Sequence, residues 1–203
     1  MEALPLAFTT GWASGINAYA CVLMLGLLGR FAGVDDVPHA LTTNGVLIAA
    51  GALFAFEFVA DKIPYIDSAW DGISTLIRPT VGAIIAALLA GQASSLHQAF
   101  IATTGGVVAL LSHAVKSSLR LAINTSPEPV TNIAASSGED VAVAGVVSLA
   151  AFHPTAALII AAILLVIGLI SVYFAFRAIR RGLARFRAWR ERNSNPATGS
   201  SAV

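Results

Sequence analysis

Long hydrophobic blocks separated by two polar segments dominate the pattern of the chain. The first polar segment covers residues 57–78 and the second covers residues 113–140. About 20 apolar residues are enough to cross a bilayer as a helix, and several blocks approach or exceed this length. The pattern predicts an all-α membrane bundle of about six segments, two of them short or broken, at residues 4–28, 45–60, 81–93, 100–115, 141–152 and 156–176.

The first block carries small and polar residues on one side. Gly11, Gly15 and Ala18 follow one another at spacings of four and three residues. They therefore share a helix face and would let a neighbouring helix approach closely. Asn17 lies on the same side, where we expect either a hydrogen bond in helix packing or a place in the lining of a polar cavity.

Acidic residues accumulate where the second block ends. Glu57 and Asp61 are one helical turn apart and share a face, Lys62 follows, and Pro64 is expected to stop the helix. A carboxylate near the end of a membrane helix is costly unless it pairs, meets water or stays protonated. These residues are therefore candidates for handling protons or cations, and a structural ion-pair network is the alternative.

Residues 65–78 combine a helical spacing of apolar residues with charges on the other faces. The charged residues are Asp67, Asp71 and Arg78. We predict an amphipathic helix at the membrane interface, or a re-entrant one. Pro79 would then open the third membrane segment, because proline suits the first turn of a helix.

A cationic stripe runs through the start of the second polar segment. His113, Lys116, Arg120 and Asn124 stand at positions i, i+3, i+7 and i+11, which places them on one helix face. Such a face could hold an anionic group such as a lipid phosphate. The alternative is that these side chains only reach toward the membrane interface.

The rest of the second polar segment leads into a short block. Glu128 stands between two prolines, neither of which offers an amide hydrogen, so its carboxylate is held rigidly in a binding site or in an ordinary loop. Glu139 and Asp140 precede residues 141–152 and fit the positive end of a helix dipole. Twelve residues make about 18 Å of helix, so this block either takes in residues 136–140 or forms a half-helix.

Composition fixes the class of protein. Hydrophobic residues make up 57% of the 203 residues and charged residues only 11%, far below the roughly 25% charged content of soluble domains. We therefore predict an integral membrane protein whose bundle covers residues 1–176. Cys21 is the only cysteine, which excludes an internal disulfide.

Basic residues are concentrated after the last hydrophobic block. Seven of the twelve Lys and Arg residues lie in residues 177–192, together with an apolar stripe at helical spacing. We predict an amphipathic helical extension along the membrane, with anionic lipid headgroups as its partners. Residues 193–203 are rich in polar and small residues and are expected to be disordered.

Charge also predicts the topology. If six segments cross a bacterial inner membrane and both termini are cytoplasmic, both polar segments and the basic extension lie in the cytoplasm. Eleven of the twelve Lys and Arg residues are then on that side, as the positive-inside rule requires. Arg30 is the exception, and its long side chain could reach a headgroup region.

The two polar segments occupy corresponding places, each after a full segment and before a short one. This arrangement is typical of transporters built from internal repeats. A parallel and an inverted repeat both stay open. The predicted binding residues are Asn17, Glu57, Asp61, Lys62, Asp67, Asp71, Arg78, His113, Lys116, Arg120, Asn124, Glu128, Asn132, Glu139 and Asp140.

Several short motifs together resemble a known family. Residues 15–19 read Gly-Ile-Asn-Ala-Tyr, residues 57–64 read Glu-Phe-Val-Ala-Asp-Lys-Ile-Pro, and residues 124–129 read Asn-Thr-Ser-Pro-Glu-Pro. With the acidic and basic positions between them, they resemble a bacterial membrane family described as domain of unknown function 4126, over residues 5–175. The resemblance implies a small polytopic inner-membrane protein and no particular activity.

Three functions are compatible with these features. The first is a small carrier or channel-like protein for a polar solute, an ion or a phosphorylated lipid headgroup, with a cytoplasm-facing cavity and proton coupling through Glu57 or Asp61. The second is a scaffold or accessory subunit that docks through the polar segments. The third is a lipid-modifying enzyme with His113 and the carboxylates as acid and base, although no catalytic motif or metal-ligand spacing is visible. No cofactor and no nucleic acid are expected, and a homo-oligomer is left open.

Overall fold

Helices connected by short loops make up the part of the chain that the structure describes, and this part contains no strand. This structure is a computed structural model, and it describes residues 3–63, 65–124 and 129–194. Within these ranges the helices are α1 (Ala3–Ile16), α2 (Ala18–Phe31), α3 (His39–Thr42), α4 (Asn44–Ala60), α5 (Ile66–Ala90), α6 (Ser95–Ile123), α7 (Pro129–Phe152) and α8 (Pro154–Ser194). The predicted all-α bundle is confirmed.

Four helices are long and apolar enough to cross a membrane. They are Ile66–Ala90, Ser95–Ile123, Val130–Phe152 and Pro154–Glu191, and α2 and α4 are shorter apolar helices. Large apolar side chains lie on the outside of the bundle, as Leu76 at 80% exposure illustrates. This distribution suits a solvent of lipid rather than water. The chain is a multi-pass membrane protein.

The centre of the bundle is built from α1 and the antiparallel pair α5 and α6. A Cβ atom on Gly11 would lie 2.5 Å from the carbonyl oxygen of Gly105, and one on Gly105 would lie 2.7 Å from the carbonyl oxygen of Gly82. Only glycine permits these backbones to come so close. The predicted close approach of a helix to the Gly11 face is confirmed.

The structure corrects two predicted segments. The first block is not one helix, because Asn17 adopts an extended backbone with φ −149° and ψ 100° and separates α1 from α2. Residues 65–78 do not form a separate amphipathic helix, because α5 continues through Pro79 to Ala90. Proline is more frequent inside membrane helices than inside the helices of soluble proteins, so its place within α5 is not unusual.

The two last helices are longer than their hydrophobic blocks. Of the two predicted alternatives for residues 141–152, the structure has the first, since α7 begins at Pro129 and includes residues 136–140. Helix α8 continues without a break through the basic residues 177–192. The predicted disordered segment overlaps α8 at residues 193–194, and residues 195–203 lie outside the described residues.

Candidate functional site: a buried charge network

Charged side chains from four helices meet at one end of the bundle. They come from the end of α4 and the loop after it, the first half of α5, the second half of α6 and the first half of α7. We call the following residues the charge network: Glu57, Asp61, Lys62, Asp67, Asp71, Arg78, Lys116, Arg120, Glu139 and Asp140.

Arg78 connects α4 and α5 to the centre of the bundle. Its Nη2 atom lies 2.6 Å from Glu57 Oε1 and 3.1 Å from Asp71 Oδ1. Its Nη1 atom donates to the carbonyl oxygen of Gly15 at 3.3 Å and contacts His113 Nδ1 at 2.8 Å. The side chain is only 1% exposed, so these partners replace the water that a guanidinium would otherwise need.

The contacts of His113 indicate which tautomer it adopts. A guanidinium only donates, so Nδ1 must accept from Arg78 Nη1 and carries no hydrogen. Nε2 lies 3.1 Å from Thr75 Oγ1, and that hydroxyl lies 3.0 Å from the carbonyl oxygen of Asp71. His113 is therefore neutral with its hydrogen on Nε2, which donates to Thr75, and it adds no positive charge to the network.

Lys116 joins three carboxylates to the end of α1. Its Nζ atom lies 2.6 Å from Asp61 Oδ2 and 3.6 Å from both Glu57 Oε1 and Glu139 Oε2. It also donates to the carbonyl oxygen of Ile16 at 2.9 Å. Glu57 and Asp61 thus share one partner, which follows from their position one helical turn apart.

Arg120 links α6 to α7. Its Nη2 atom lies 2.7 Å from Glu139 Oε2, and its Nη1 atom donates to Asn132 Oδ1 at 2.8 Å. Nη1 also donates to the carbonyl oxygen of Asp61 at 2.7 Å and lies 3.6 Å from Asp67 Oδ2. One side chain therefore fixes α6, α7 and the loop after α4 relative to one another.

Asn124 extends the network to the first turn of α5. Its Nδ2 atom donates to Asp67 Oδ1 at 2.9 Å and to Ser68 Oγ at 2.7 Å. Asp67 Oδ1 in turn accepts from the backbone nitrogen of Ser68 at 2.6 Å. The stripe that begins at His113 therefore faces the network along its whole predicted length.

The break between α1 and α2 lies against the network. The last carbonyl groups of α1, on Gly15 and Ile16, accept from Arg78 and Lys116. Asn17 Oδ1 accepts from the backbone nitrogen of Ala20 at the start of α2, and Asn17 Nδ2 donates to Asp140 Oδ1 at 3.1 Å. The negative end of one helix thus meets cations, and the positive end of the next is capped by a side chain that binds a carboxylate.

The partly exposed edge of the network lies between α4 and α7. Lys62 Nζ lies 3.2 Å from Ser136 Oγ and 3.8 Å from Asp140 Oδ2. Its ammonium group also stands over the ring of Phe58 at 3.1 Å, a cation–π arrangement. The side chains of Lys62 and Asp140 are 19% and 14% exposed, and that of Glu139 is 21% exposed, so solvent reaches the network at these three residues.

Charge is not balanced within the network. Its described members include six carboxylates and four basic side chains, a formal excess of two negative charges. Glu57 Oε2, Asp61 Oδ1 and Asp71 Oδ2 are buried and receive no hydrogen bond from any described residue. Buried charges are costly unless they are paired and hydrogen-bonded, so this excess requires an explanation.

The structure describes fourteen of the fifteen predicted binding residues and brings all fourteen together. The remaining one, Glu128, lies outside the described residues. Sequence reasoning missed Ser68, Thr75 and Ser136, whose hydroxyl groups bind Asn124, His113 and Lys62 respectively. Helical spacing could have found Thr75, four residues after Asp71, and Ser136, four residues before Asp140. Whether any of these residues binds a substrate stays a prediction.

The family model described as Domain of unknown function (DUF4126) matches residues 4–173. This match covers most of the chain, from the second residue of α1 to residue 173 in α8. The chain belongs to the DUF4126 family. No curated protein and no solved structure matches the chain. The DUF4126 description assigns no activity, so function has to be argued from the charge network itself.

Proposed function

We propose that this DUF4126 protein is a small carrier of a polar solute in the bacterial inner membrane. The observation that carries this proposal is the helix break at Asn17, whose two helix ends face buried charges from α5, α6 and α7. Interrupted helices with ends that face a polar site are the recurrent design of secondary transporters. Ionisable residues buried among membrane helices usually mark a substrate or ion pathway.

A carrier fits the position of the polar segments better than a scaffold does. A docking surface would expose its charges, whereas Glu57, Arg78 and Arg120 are each at most 1% exposed. The acid and base pair that an enzyme would need is also not formed by His113, whose partners in the described ranges are Thr75 and Arg78. We further propose that the partly exposed edge at Lys62 faces the cytoplasm, as the distribution of Lys and Arg along the chain predicts.

Proton coupling would use Glu57 or Asp61. Both face Lys116, and the groups around them are Asp71, Arg78, Arg120 and Glu139. A proton that binds one carboxylate removes an ion-pair partner from Lys116 or Arg78. Proton binding would therefore loosen contacts between helices, which is what an alternating carrier requires.

Uptake into reconstituted vesicles tests the proposal. We expect Glu57→Gln and Arg120→Ala to reduce proton-driven uptake of the transported member of a solute panel at least tenfold, because each removes a charge from the pathway. Asp35→Asn, on an exposed loop residue, serves as the matched control and should transport like the wild type. If both network variants fold and match the wild type for every solute, the carrier proposal is wrong.

A further inference from the structure

The basic side chains of the network have little capacity left for a ligand. Arg78 contacts two carboxylates, and Lys116 and Arg120 each contact three within 4.0 Å. His113 accepts a hydrogen bond from Arg78 and is neutral. An anion could bind here only by displacing a carboxylate that is already in place. The predicted anion site at His113, Lys116 and Arg120 is therefore filled by the protein itself.

The charge network has fewer positive than negative side chains. Five buried carboxylate oxygens have no hydrogen-bond donor among the described residues: one each on Glu57, Asp61 and Asp140, and both on Asp71. The Nε atoms of Arg78 and Arg120 also lack an acceptor there. A neutral water satisfies an N–H group, whereas only a cation or a proton offsets an excess of carboxylates.

The carboxylates of Glu57, Asp61 and Asp71 are adjacent and have Glu57 in the middle. Glu57 Oε1 shares Lys116 with Asp61 and shares Arg78 with Asp71. However, the described ranges contain no group of three or more acidic, histidine or cysteine side chains arranged to hold a metal ion. An ammonium group offers several N–H donors on one nitrogen, and each of them can bind one oxygen of adjacent carboxylates.

We propose that the charge network binds a small amine in its ammonium form between Glu57, Asp61 and Asp71. The inference rests on the proposed carrier function, for which it names the class of substrate. The ammonium group donates to the free carboxylate oxygens and reduces the excess of negative charge. The partly exposed side chains of the network are those of Lys62, Glu139 and Asp140, and we propose that the amine enters beside them.

Thermal unfolding of the purified full-length protein in detergent tests the proposal. Methylammonium chloride should raise the Tm by several degrees in a saturable manner, because a ligand that binds only the folded state stabilises it. Tetramethylammonium chloride carries the same charge without N–H donors and should give less than a quarter of that shift. Sodium chloride and sodium phosphate at equal ionic strength should behave like tetramethylammonium.

A variant separates a binding role from a structural one. Asp71→Asn keeps the shape of the side chain and removes one excess charge, so it should lose more than half of the methylammonium shift. The methylammonium shift relative to the unliganded variant is the readout, because Asp71 also pairs with the buried Arg78 and its loss can lower the Tm of the unliganded protein. Asp35→Asn is the matched control and should keep the full shift. If Asp71→Asn does not fold, Asp61→Asn replaces it with the same expected loss of shift.

Four results would overturn the inference. They are no shift with methylammonium, a shift with phosphate, equal shifts with all salts, and an undiminished methylammonium shift in the Asp71 or Asp61 variant. The carrier proposal fails separately. If methylammonium has no effect but Glu57→Gln and Arg120→Ala abolish uptake of another solute, only the amine inference is wrong. If methylammonium binds but neither variant alters any uptake, the protein binds amines without being a carrier.

Discussion

Two regions of the bundle differ in the kind of contact that holds them. The junction of α1, α5 and α6 depends on close backbone packing, and the first half of α7 depends on polar side chains. At the junction the backbones approach closely at Gly11, Gly82 and Gly105, and only the methyl groups of Ala86 and Ala109 pack beside them. Among the described side chains of residues 130–140, those of Asn132 and Ser136 are buried. The second half of α7 returns to ordinary core packing through Val143, Val146, Val147 and Ala150.

The difference shows how a membrane bundle can be rigid in one place and adjustable in another. Close backbone packing depends on shape and has one arrangement. Ion pairs and hydrogen bonds can exchange partners, including water, at lower cost than glycine contacts can slide. We therefore expect the first half of α7 to be the element that moves when the charge network opens, while α1, α5 and α6 form the frame.

The largest effect is expected from Arg120→Met, which removes the main link between α6 and α7. It leaves Asp61, Asp67 and Glu139 with fewer positive partners, and breaking a buried ion pair from one side costs about 3–5 kcal/mol. The free energy of unfolding should fall by that amount in detergent, measured by denaturant titration. Arg30→Met removes an exposed arginine that binds Asn44 and should cost less than about 1 kcal/mol. Equal losses in the two variants would contradict a special role for Arg120.

A smaller effect is expected from Gly11→Ala in the frame. The new Cβ atom would lie 2.5 Å from the carbonyl oxygen of Gly105 and 3.0 Å from its Cα atom. Backbone atoms cannot move aside as a flexible side chain can, so overpacking should cost about 1–3 kcal/mol of unfolding free energy. Gly72→Ala in α5 meets nothing within 4 Å and should be neutral or slightly stabilising. A Gly11→Ala variant as stable as Gly72→Ala would show that the frame is not tightly packed.

The sequence predicted which residues form the charge network, but it did not predict which residues on other helices they contact. Helical spacing was sufficient for Glu57 with Asp61 and for His113 through Asn124, because each set lies on one helix and the period of a helix fixes its face. Spacing within a helix carries no information about the partner across the gap, so the pairing of Arg120 with Asn132 and Glu139 was not predicted.

The break at Asn17 was missed for a different reason. Its neighbours are apolar and small, and nothing nearby is a strong helix breaker. The extended backbone is stabilised by partners far along the chain, since Asp140 binds the side chain of Asn17 and Lys116 binds the carbonyl of Ile16. Similarly, Asp67, Asp71 and Arg78 resembled the polar face of an interfacial helix because their partners on α4 and α6 were unknown. Contacts between helices, which a single sequence does not show, therefore determine both the backbone at Asn17 and the burial of these three side chains.

The smallest effect on stability is expected from Lys62→Met, which tests whether α7 is the adjustable element. Lys62 is partly exposed and Asp140 keeps its bond to Asn17, so the loss should be below about 1 kcal/mol. Amide hydrogen exchange should nevertheless become several-fold faster in residues 130–140 and stay unchanged in α1, because Lys62 contacts the first half of α7 and, among the described residues, has no contact with α1. Arg177→Met, which removes an exposed bond to Tyr173, should leave both regions unchanged. Faster exchange spread equally over α1 and α7 would mean that the bundle opens as one unit, and the division into frame and adjustable helix would then be wrong.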